Sequence, residues 1–304
     1  MPICIAPATL PAMHEAMAAA ARRGGAEVVP IEEATGLVWA DPFRTETFAD
    51  VYAAGANLRW VQLPFAGVGP FVPHLDDRVV WTCGKGVYAR PVAEHVVTLA
   101  LAGLRDLHRF IPVRSWGERT GRNLIGATVT ILGGGGIAEA LIELLQPFKC
   151  TINVVRRRAM PIAGTDRVLT QAELTEVLPT TDVLVVAWAL TPETEGVVDA
   201  SIFAALPEHG WLVNVGRGAH VNHDDLVAAL QSGAIGGAGL DVTEPEPLPD
   251  DHPLWQQPNC IITPHVGNTA EMGLPLLADR IEENVRRFLA GEDLVGQVDV
   301  GAGY

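Results

Sequence analysis

The chain is 304 residues long, 48% hydrophobic and 19% charged, with a formal net charge of −15 at pH 7. That length accommodates two domains with a sizeable core, and that charge excludes a nucleic-acid footprint. No apolar run approaches the ~18 residues of a membrane span, and Met1-Pro2-Ile3-Cys4-Ile5 lacks a basic secretory n-region, so a cytoplasmic protein is expected.

Residues 1–90 read as a first α/β unit. Short apolar runs at Ile3–Ala6, Glu27–Val29, Leu37–Trp39, Trp60–Leu63 and Val79–Trp81 alternate with helix-like or turn-rich segments, which predicts a small parallel sheet. The segment from Leu63 to Gly69 leaves the end of one such strand, where open parallel sheets place their ligand loops. Pro91 then opens a predicted helix over 91–110 with an apolar stripe (Val92, Val96, Leu99, Leu104, Leu107). His95 lies on that stripe and reads as a packed core histidine. Residues 114–122 read as an irregular arm. The cysteines Cys4, Cys83, Cys150 and Cys260 are scattered, with no C-x-x-C pair and no zinc-type spacing, and read as free thiols.

The stretch 128–158 carries the strongest signal. An apolar run at Val129–Leu132 is followed by four glycines, Gly133 to Gly136. A helical pattern (Ile137, Leu141, Leu144, Leu145) then closes at Pro147, and a second apolar run spans Ile152–Val155. Strand, glycine turn, helix and strand within about 30 residues is the dinucleotide fingerprint. Gly133 permits the tight turn and Gly135 the approach of a pyrophosphate. Gly136 and Ile137 open the helix whose free N–H groups would hold it, and Ala138 is the small residue where helix and strand pack. The second strand of such units ends in an acid that bonds the ribose 2′-OH of NAD, but here Arg156, Arg157 and Arg158 follow it. Guanidinium groups bind a 2′-phosphate that a carboxylate would repel, so NADP(H) is favoured over NAD(H); the alternative is a solvated basic turn.

Four more strand-like runs follow, Val183–Ala187, Leu212–Val215, Ala238–Val242 and Cys260–Thr263, making six parallel strands with the first two. The amphipathic stretch 270–289 is too much chain for that sheet and is expected to return to the first domain. Three of these strands exit into chemically loaded segments: Asn214-Val215-Gly216-Arg217-Gly218, Asp241-Val242-Thr243-Glu244-Pro245-Glu246-Pro247-Leu248, and Thr263-Pro264-His265-Val266-Gly267-Asn268. An arginine can face the crevice beyond the strand ends. A carboxylate, Glu246 or Glu244, can pair with His265, orienting the imidazole and favouring its protonated form, as a general acid requires. No metal site is expected.

On these motifs the chain resembles the D-isomer-specific 2-hydroxyacid dehydrogenases, which include glyoxylate/hydroxypyruvate reductases. Further matches are Ala93-Glu94-His95, Leu190-Thr191-Pro192-Glu193-Thr194, Asp251-His252-Pro253-Leu254-Trp255 and, near the end, Val298-Asp299 and Gly303-Tyr304. The resemblance implies an α/β fold of two Rossmann-like or flavodoxin-like domains with parallel sheets and an active site in the interdomain cleft. Residues 1–90 plus 271–304 would form the substrate domain and 91–270 the NAD(P)-binding domain. It implies an oxidoreductase that reduces a small 2-oxoacid to the D-2-hydroxyacid, without membrane or nucleic-acid partners, and working as a homodimer. Arg217 would bind the substrate carboxylate and keto oxygen, His265 would donate the proton, and Glu246, which immediately precedes Pro-Leu, would be its partner. The backbone of Ala66, Gly67 and Val68 would hold the carboxylate. Thr191, Val215, Asp241 and His265 would join Gly133, Gly135, Gly136, Ile137, Arg156 and Arg157 as cofactor contacts. Two departures from the family pattern are Ala187-Trp188-Ala189 before Leu190-Thr191, and Phe65 where many members carry a small or polar residue. Lys85, Arg44, Tyr88 and Met272 are candidates to line the substrate pocket, but read first as ordinary surface or packing. The alternative function is an NAD(P)-sensing binding protein on the same scaffold. A short-chain dehydrogenase is excluded because Tyr52, Tyr88 and Tyr304 have no lysine four residues on.

Overall fold

A computed structural model describes residues 1–301, so the Gly303-Tyr304 pair lies outside the described residues. The chain divides into two compact units, one formed by Met1–Tyr88 with the chain from Thr269 onward, the other by Ala89–Asn268.

In the first unit the strands are β1 (Pro2–Ala6), β2 (Glu27–Val28), β3 (Gly36–Trp39), β4 (Trp60–Gln62) and β5 (Val80–Thr82), with helices α1 (Pro11–Arg23) and α2 (Phe48–Ala54). They form one five-stranded sheet, order β2-β1-β3-β4-β5, with every pairing parallel. Its central strands are apolar on both faces because each face is covered. On one side Phe48 of α2 packs among Trp39, Phe71 and Trp81. On the other, Met17, Ala18 and Ala21 of α1 cover Ile3, Val38 and Trp60.

The second unit opens on α3 (Ala89–Leu104) and α4 (Leu107–Phe110). The single helix expected over 91–110 is therefore two, and Asp106, at φ 52°, is the left-handed residue that breaks it. Next come β6 (Thr128–Leu132), α5 (Gly136–Leu145), β7 (Thr151–Val155), β8 (Arg167–Leu169), β9 (Val183–Val186), α6 (Ala200–Ala205), β10 (Trp211–Asn214), α7 (His223–Ser232), β11 (Gly237–Leu240) and β12 (Cys260–Ile262). These strands make a seven-stranded parallel sheet, order β12-β11-β10-β9-β6-β7-β8. Six were expected; the seventh is β8, three residues at the sheet edge with Leu169 alone buried, too short to show a period. The order reverses beside β6, between β9 and β7, and the fingerprint turn leaves β6 at that reversal.

The last helix, α8 (Ala270–Ala290), packs Leu277, Ile281 and Val285 into the α1 side of the five-stranded sheet. A buried polar chain fastens it there. Asn284, fully buried, donates from Nδ2 to Gln62 Oε1 (2.9 Å) and to the Val295 carbonyl (2.9 Å), and accepts from Val295 N–H (2.8 Å). Gln62 Oε1 also accepts from Thr82 Oγ1 (2.8 Å), which in turn accepts from Trp60 Nε1 (2.8 Å). Asn284→Leu strips the partners from two backbone groups at Val295 and from this chain, so we expect a loss of about 2–4 kcal/mol in chemical denaturation.

Candidate active site

The candidate site is built at the carboxyl edge of the seven-stranded sheet. At the end of β6, Gly133 takes φ 127°, and a Cβ there would stand 2.6 Å from the Ala187 carbonyl oxygen, so glycine is required twice over. Its N–H donates to the Val155 carbonyl (2.8 Å) and ties the turn to the end of β7. Helix α5 then starts with Gly135 as an extended N-cap that has no side chain to satisfy the first N–H groups. Gly135 is exposed, Gly136 and Ile137 are half-buried, and the donors of that first turn are left for an anion. Ala138 is buried in the core beneath. These features fit the pyrophosphate of a dinucleotide.

Beyond β7, Arg156 is half-buried and Arg157 and Arg158 are exposed. The Arg156 chain runs across the glycine turn, with Cδ and Nε 3.0 Å from where a side chain at Gly134 would begin. It lines an open cavity of about 400 Å³ with Glu139, Pro161, Ile162 and Ala163. The Trp188 indole N–H donates to the same Val155 carbonyl (3.1 Å). Thr191 is half-buried, and its N–H is taken by Thr194 Oγ1 (2.9 Å) in a local turn.

β10, β11 and β12 are neighbours, so the segments carrying Arg217, Glu246 and His265 leave one edge side by side. The Arg217 loop is held by Asn214, which accepts from Gly216 N–H (3.0 Å) and donates to the Arg217 carbonyl (2.9 Å). Gly218 closes it against the β11 exit, and a Cβ there would lie 1.9 Å from the Thr243 carbonyl carbon. Arg217 itself is exposed, with Nη1 2.6 Å from the Gly216 carbonyl oxygen, and Val215 before it is buried. Below the loop, His220 is fully buried with Nδ1 3.0 Å from the Arg217 backbone N and carbonyl oxygen. Burial pushes its pKa down, so it is a neutral packing imidazole.

His265 Nδ1 lies 2.6 Å from Glu246 Oε1, and both side chains are about half exposed. A carboxylate can only accept, so Nδ1 carries the hydrogen and Nε2 is left for other partners. His265 holds φ 54°, uncommon for a non-glycine residue. Asp241 imposes that conformation. It is 3% exposed, and its carboxylate accepts from Thr263 Oγ1 (2.7 Å) and from the backbone N–H groups of Val266 (2.8 Å) and Gly267 (2.8 Å). The Asp241 carbonyl also accepts from His265 N–H (2.9 Å). Burial alone would raise the Asp241 pKa. The hydrogen bonds from His95, Thr263, Gly267 and Val266 outweigh it and hold the group below the usual carboxylate range.

His95 is thus more than the packed core residue expected. Its Nε2 lies 3.0 Å from Thr263 Oγ1 and 3.3 Å from Asp241 Oδ1. Since the Thr263 hydroxyl donates to Asp241, its oxygen accepts from His95. In the first unit, Ala66 is exposed, Gly67 half-buried and Val68 buried. Their loop is secured by Gly84 N–H on the Phe65 carbonyl (2.8 Å) and Tyr88 OH on the Pro64 carbonyl (2.6 Å). Among the described residues no cluster of His, Cys, Asp and Glu suits a metal ion, and no helix is long and apolar enough to cross a membrane.

The family model for the D-isomer specific 2-hydroxyacid dehydrogenase NAD binding domain matches residues 96–267. The chain belongs to this family. Human glyoxylate reductase/hydroxypyruvate reductase is 33% identical over 261 residues, 81% of this chain and 78% of that protein. A D-isomer specific 2-hydroxyacid dehydrogenase from Xanthobacter autotrophicus Py2, solved with NADPH and MES, superposes with a TM-score of 0.84 at 29% identity over 100% of this chain and 99% of its own. An NADPH-dependent glyoxylate/hydroxypyruvate reductase from Sinorhizobium meliloti, solved with NADP and sulfate, gives a TM-score of 0.81 at 27% identity, covering 100% and 99% of the two chains.

This 2-hydroxyacid dehydrogenase is an oxidoreductase with a nicotinamide-nucleotide-binding domain. Three positioning residues escaped the sequence reasoning. His95 looks like an apolar-stripe histidine until its partners from distant segments are known, and His220 like a loop histidine until its burial beneath Arg217 is seen. Trp188 stood out only as a departure from the family pattern. The Asp241 clasp yields a pH-dependent expectation. A carboxylate whose folded pKa is depressed contributes stability that is complete above its unfolded pKa of about 4 and is lost as pH falls through the folded value. Asp241→Ala should cost about 3 kcal/mol at pH 7, and the urea midpoints of the two proteins should begin to approach each other as pH falls below about 4.

Proposed function

We propose that this enzyme reduces a small 2-oxoacid to the D-2-hydroxyacid, with NADPH favoured over NADH and His265 as the proton donor. The observation that carries this reading is the 2.6 Å His265–Glu246 pair, which joins the exits of β12 and β11 next to the β10 exit that carries Arg217, within a nucleotide-binding sheet. Support comes also from the human and Sinorhizobium relatives, named as glyoxylate/hydroxypyruvate reductases, and from the two neighbours solved with NADPH or NADP.

The bound nicotinamide would supply the hydride that the keto carbon accepts. Arg217 holds the substrate carboxylate and polarises the keto oxygen, aided by the backbone of Ala66, Gly67 and Val68. His265 Nε2–H protonates the oxygen as it gains charge, and Glu246 steadies the imidazolium through Nδ1–H. Solvent then restores the proton to the half-exposed imidazole. The amides of Gly135, Gly136 and Ile137 beyond the Gly133 turn take the pyrophosphate, and Arg156 and Arg157 the 2′-phosphate. Asp241 and the Val215 carbonyl serve the carboxamide side, with His265 nearby, and Thr191 the adenosine side. The reading extends to a homodimer in the cytoplasm, whose size sedimentation would measure.

Arg217→Ala should lower kcat by ~10²–10³, the scale of one donor aimed at developing charge, while NADPH titrated by protein fluorescence still binds. Undiminished turnover would remove Arg217 from the chemistry. The arginine turn predicts kcat/KM at least about tenfold higher with NADPH than with NADH, since a hydrogen bond to a charged group contributes about 1.5–3 kcal/mol. Equal values would reduce Arg156 and Arg157 to a solvated turn. If NADPH binds and no 2-oxoacid is turned over, the nucleotide-sensing alternative stands instead.

A further inference from the structure

The large aromatic side chains of the first unit are mostly interior: Trp39, Trp60, Trp81, Phe48 and Phe71 are fully buried. Two are not. Phe43 is 79% exposed and Phe65 is 39% exposed, and their rings stand edge to face with centroids 6.4 Å apart. A solvent-facing aromatic pair is where a soluble protein receives an apolar group.

Its place in the fold is specific. Phe65 immediately precedes the Ala66-Gly67-Val68 loop at the exit of β4, and Phe43 sits at the exit of the neighbouring strand β3. In the order β2-β1-β3-β4-β5 the chain steps from β1 outward to β2 and then crosses to β3, so the topological switch lies between β1 and β3. Ligands of open parallel sheets bind beyond the carboxyl ends at such a switch. The exits of β1 and β3 are pinned together there. Asp41, 2% exposed, accepts from the Thr9 hydroxyl of the β1 exit and from Phe43 N–H (2.9 Å). The Phe43 backbone is thereby anchored while its ring is left in solvent.

Glyoxylate has no side chain and hydroxypyruvate a polar one, so neither gains from two phenyl rings. We propose that the preferred substrate is a 2-oxoacid with an aromatic or bulky apolar side chain, of the phenylpyruvate class, which packs against Phe43 and Phe65 while its carboxylate is held by the adjacent loop. This rests on the 2-oxoacid reductase reading above and adds the substrate side chain to it. Arg44, its Nε 3.9 Å from Asp41, is the cation of the same loop, which makes an acidic side chain the competitor to test.

The test is NADPH oxidation with phenylpyruvate, glyoxylate and 2-oxoglutarate by the wild type, Phe43→Ala and Phe43→Leu. The wild type should show kcat/KM for phenylpyruvate at least about tenfold above glyoxylate, in line with the discrimination apolar pockets achieve. Phe43→Ala should shrink that ratio about tenfold, chiefly through KM, and Phe43→Leu should restore part of it. The proposal is overturned if the wild type prefers glyoxylate or 2-oxoglutarate, or if Phe43→Ala lowers all acids equally. It is overturned as well if Phe43→Ala changes the sedimentation of the protein, which would make the pair a contact between copies. Reduction of none of the three overturns the reductase reading and this inference together, whereas glyoxylate turnover without the aromatic preference overturns this inference alone.

Discussion

A buried carboxylate organises this protein's candidate chemistry. Asp241 lies at the end of a strand inside the sheet, shielded from water, and is kept ionised by His95 and by the donors of a single turn. A charge in such a place is tolerated only when its lone pairs are met, so the turn from Thr263 to Gly267 has little freedom to choose another shape. His265 therefore adopts a left-handed backbone that its own side chain would not favour, and in that conformation its Nδ1 reaches Glu246. The conformational cost at His265, of order 1–3 kcal/mol, is offset by the hydrogen bonds of Thr263, Val266 and Gly267 to a charged acceptor at the end of the adjacent strand. His95 extends the clasp from α3, so the His265 segment is fixed from both its strand and its helix side.

The same edge of the sheet fixes the other two functional segments by close approach. The glycine turn after β6 is pressed against the backbone of residue 187, and the Gly218 backbone against that of residue 243. Neither contact leaves room for a side chain. Val155 joins the cofactor features at a single atom, its carbonyl accepting from Gly133 and from the Trp188 indole just before Arg156 begins. The glycine turn, the arginine turn and the loop after β9 thus share one anchor, which is how a sheet edge holds irregular loops in place.

Much of this was legible in the residues. Apolar runs of four or five residues, alternating with helical spacing, are enough for parallel sheets covered on both faces, because burial on both sides removes the polar alternation of other strands. The fingerprint was readable because its glycines answer to local sterics, and Arg156 because it follows the strand directly. Arg217, Glu246 and His265 were legible because strand exits of a parallel sheet all point to one edge. The three-residue β8 and the break at Asp106 were not, since neither leaves a periodic trace.

From sequence alone came the α/β class, the glycine turn with its basic rather than acidic second strand end, and the family; the first two depend on contacts within a few dozen residues, and the family on motifs read in order along the chain. Tertiary structure decided which side chains became partners: His95 with Thr263 and Asp241, Asn284 with Gln62, and Phe43 beside Phe65. Those pairs join residues from separate segments, in different secondary elements or their exits. A side chain's neighbours across such distances are set by how sheets and helices pack, not by its own propensity.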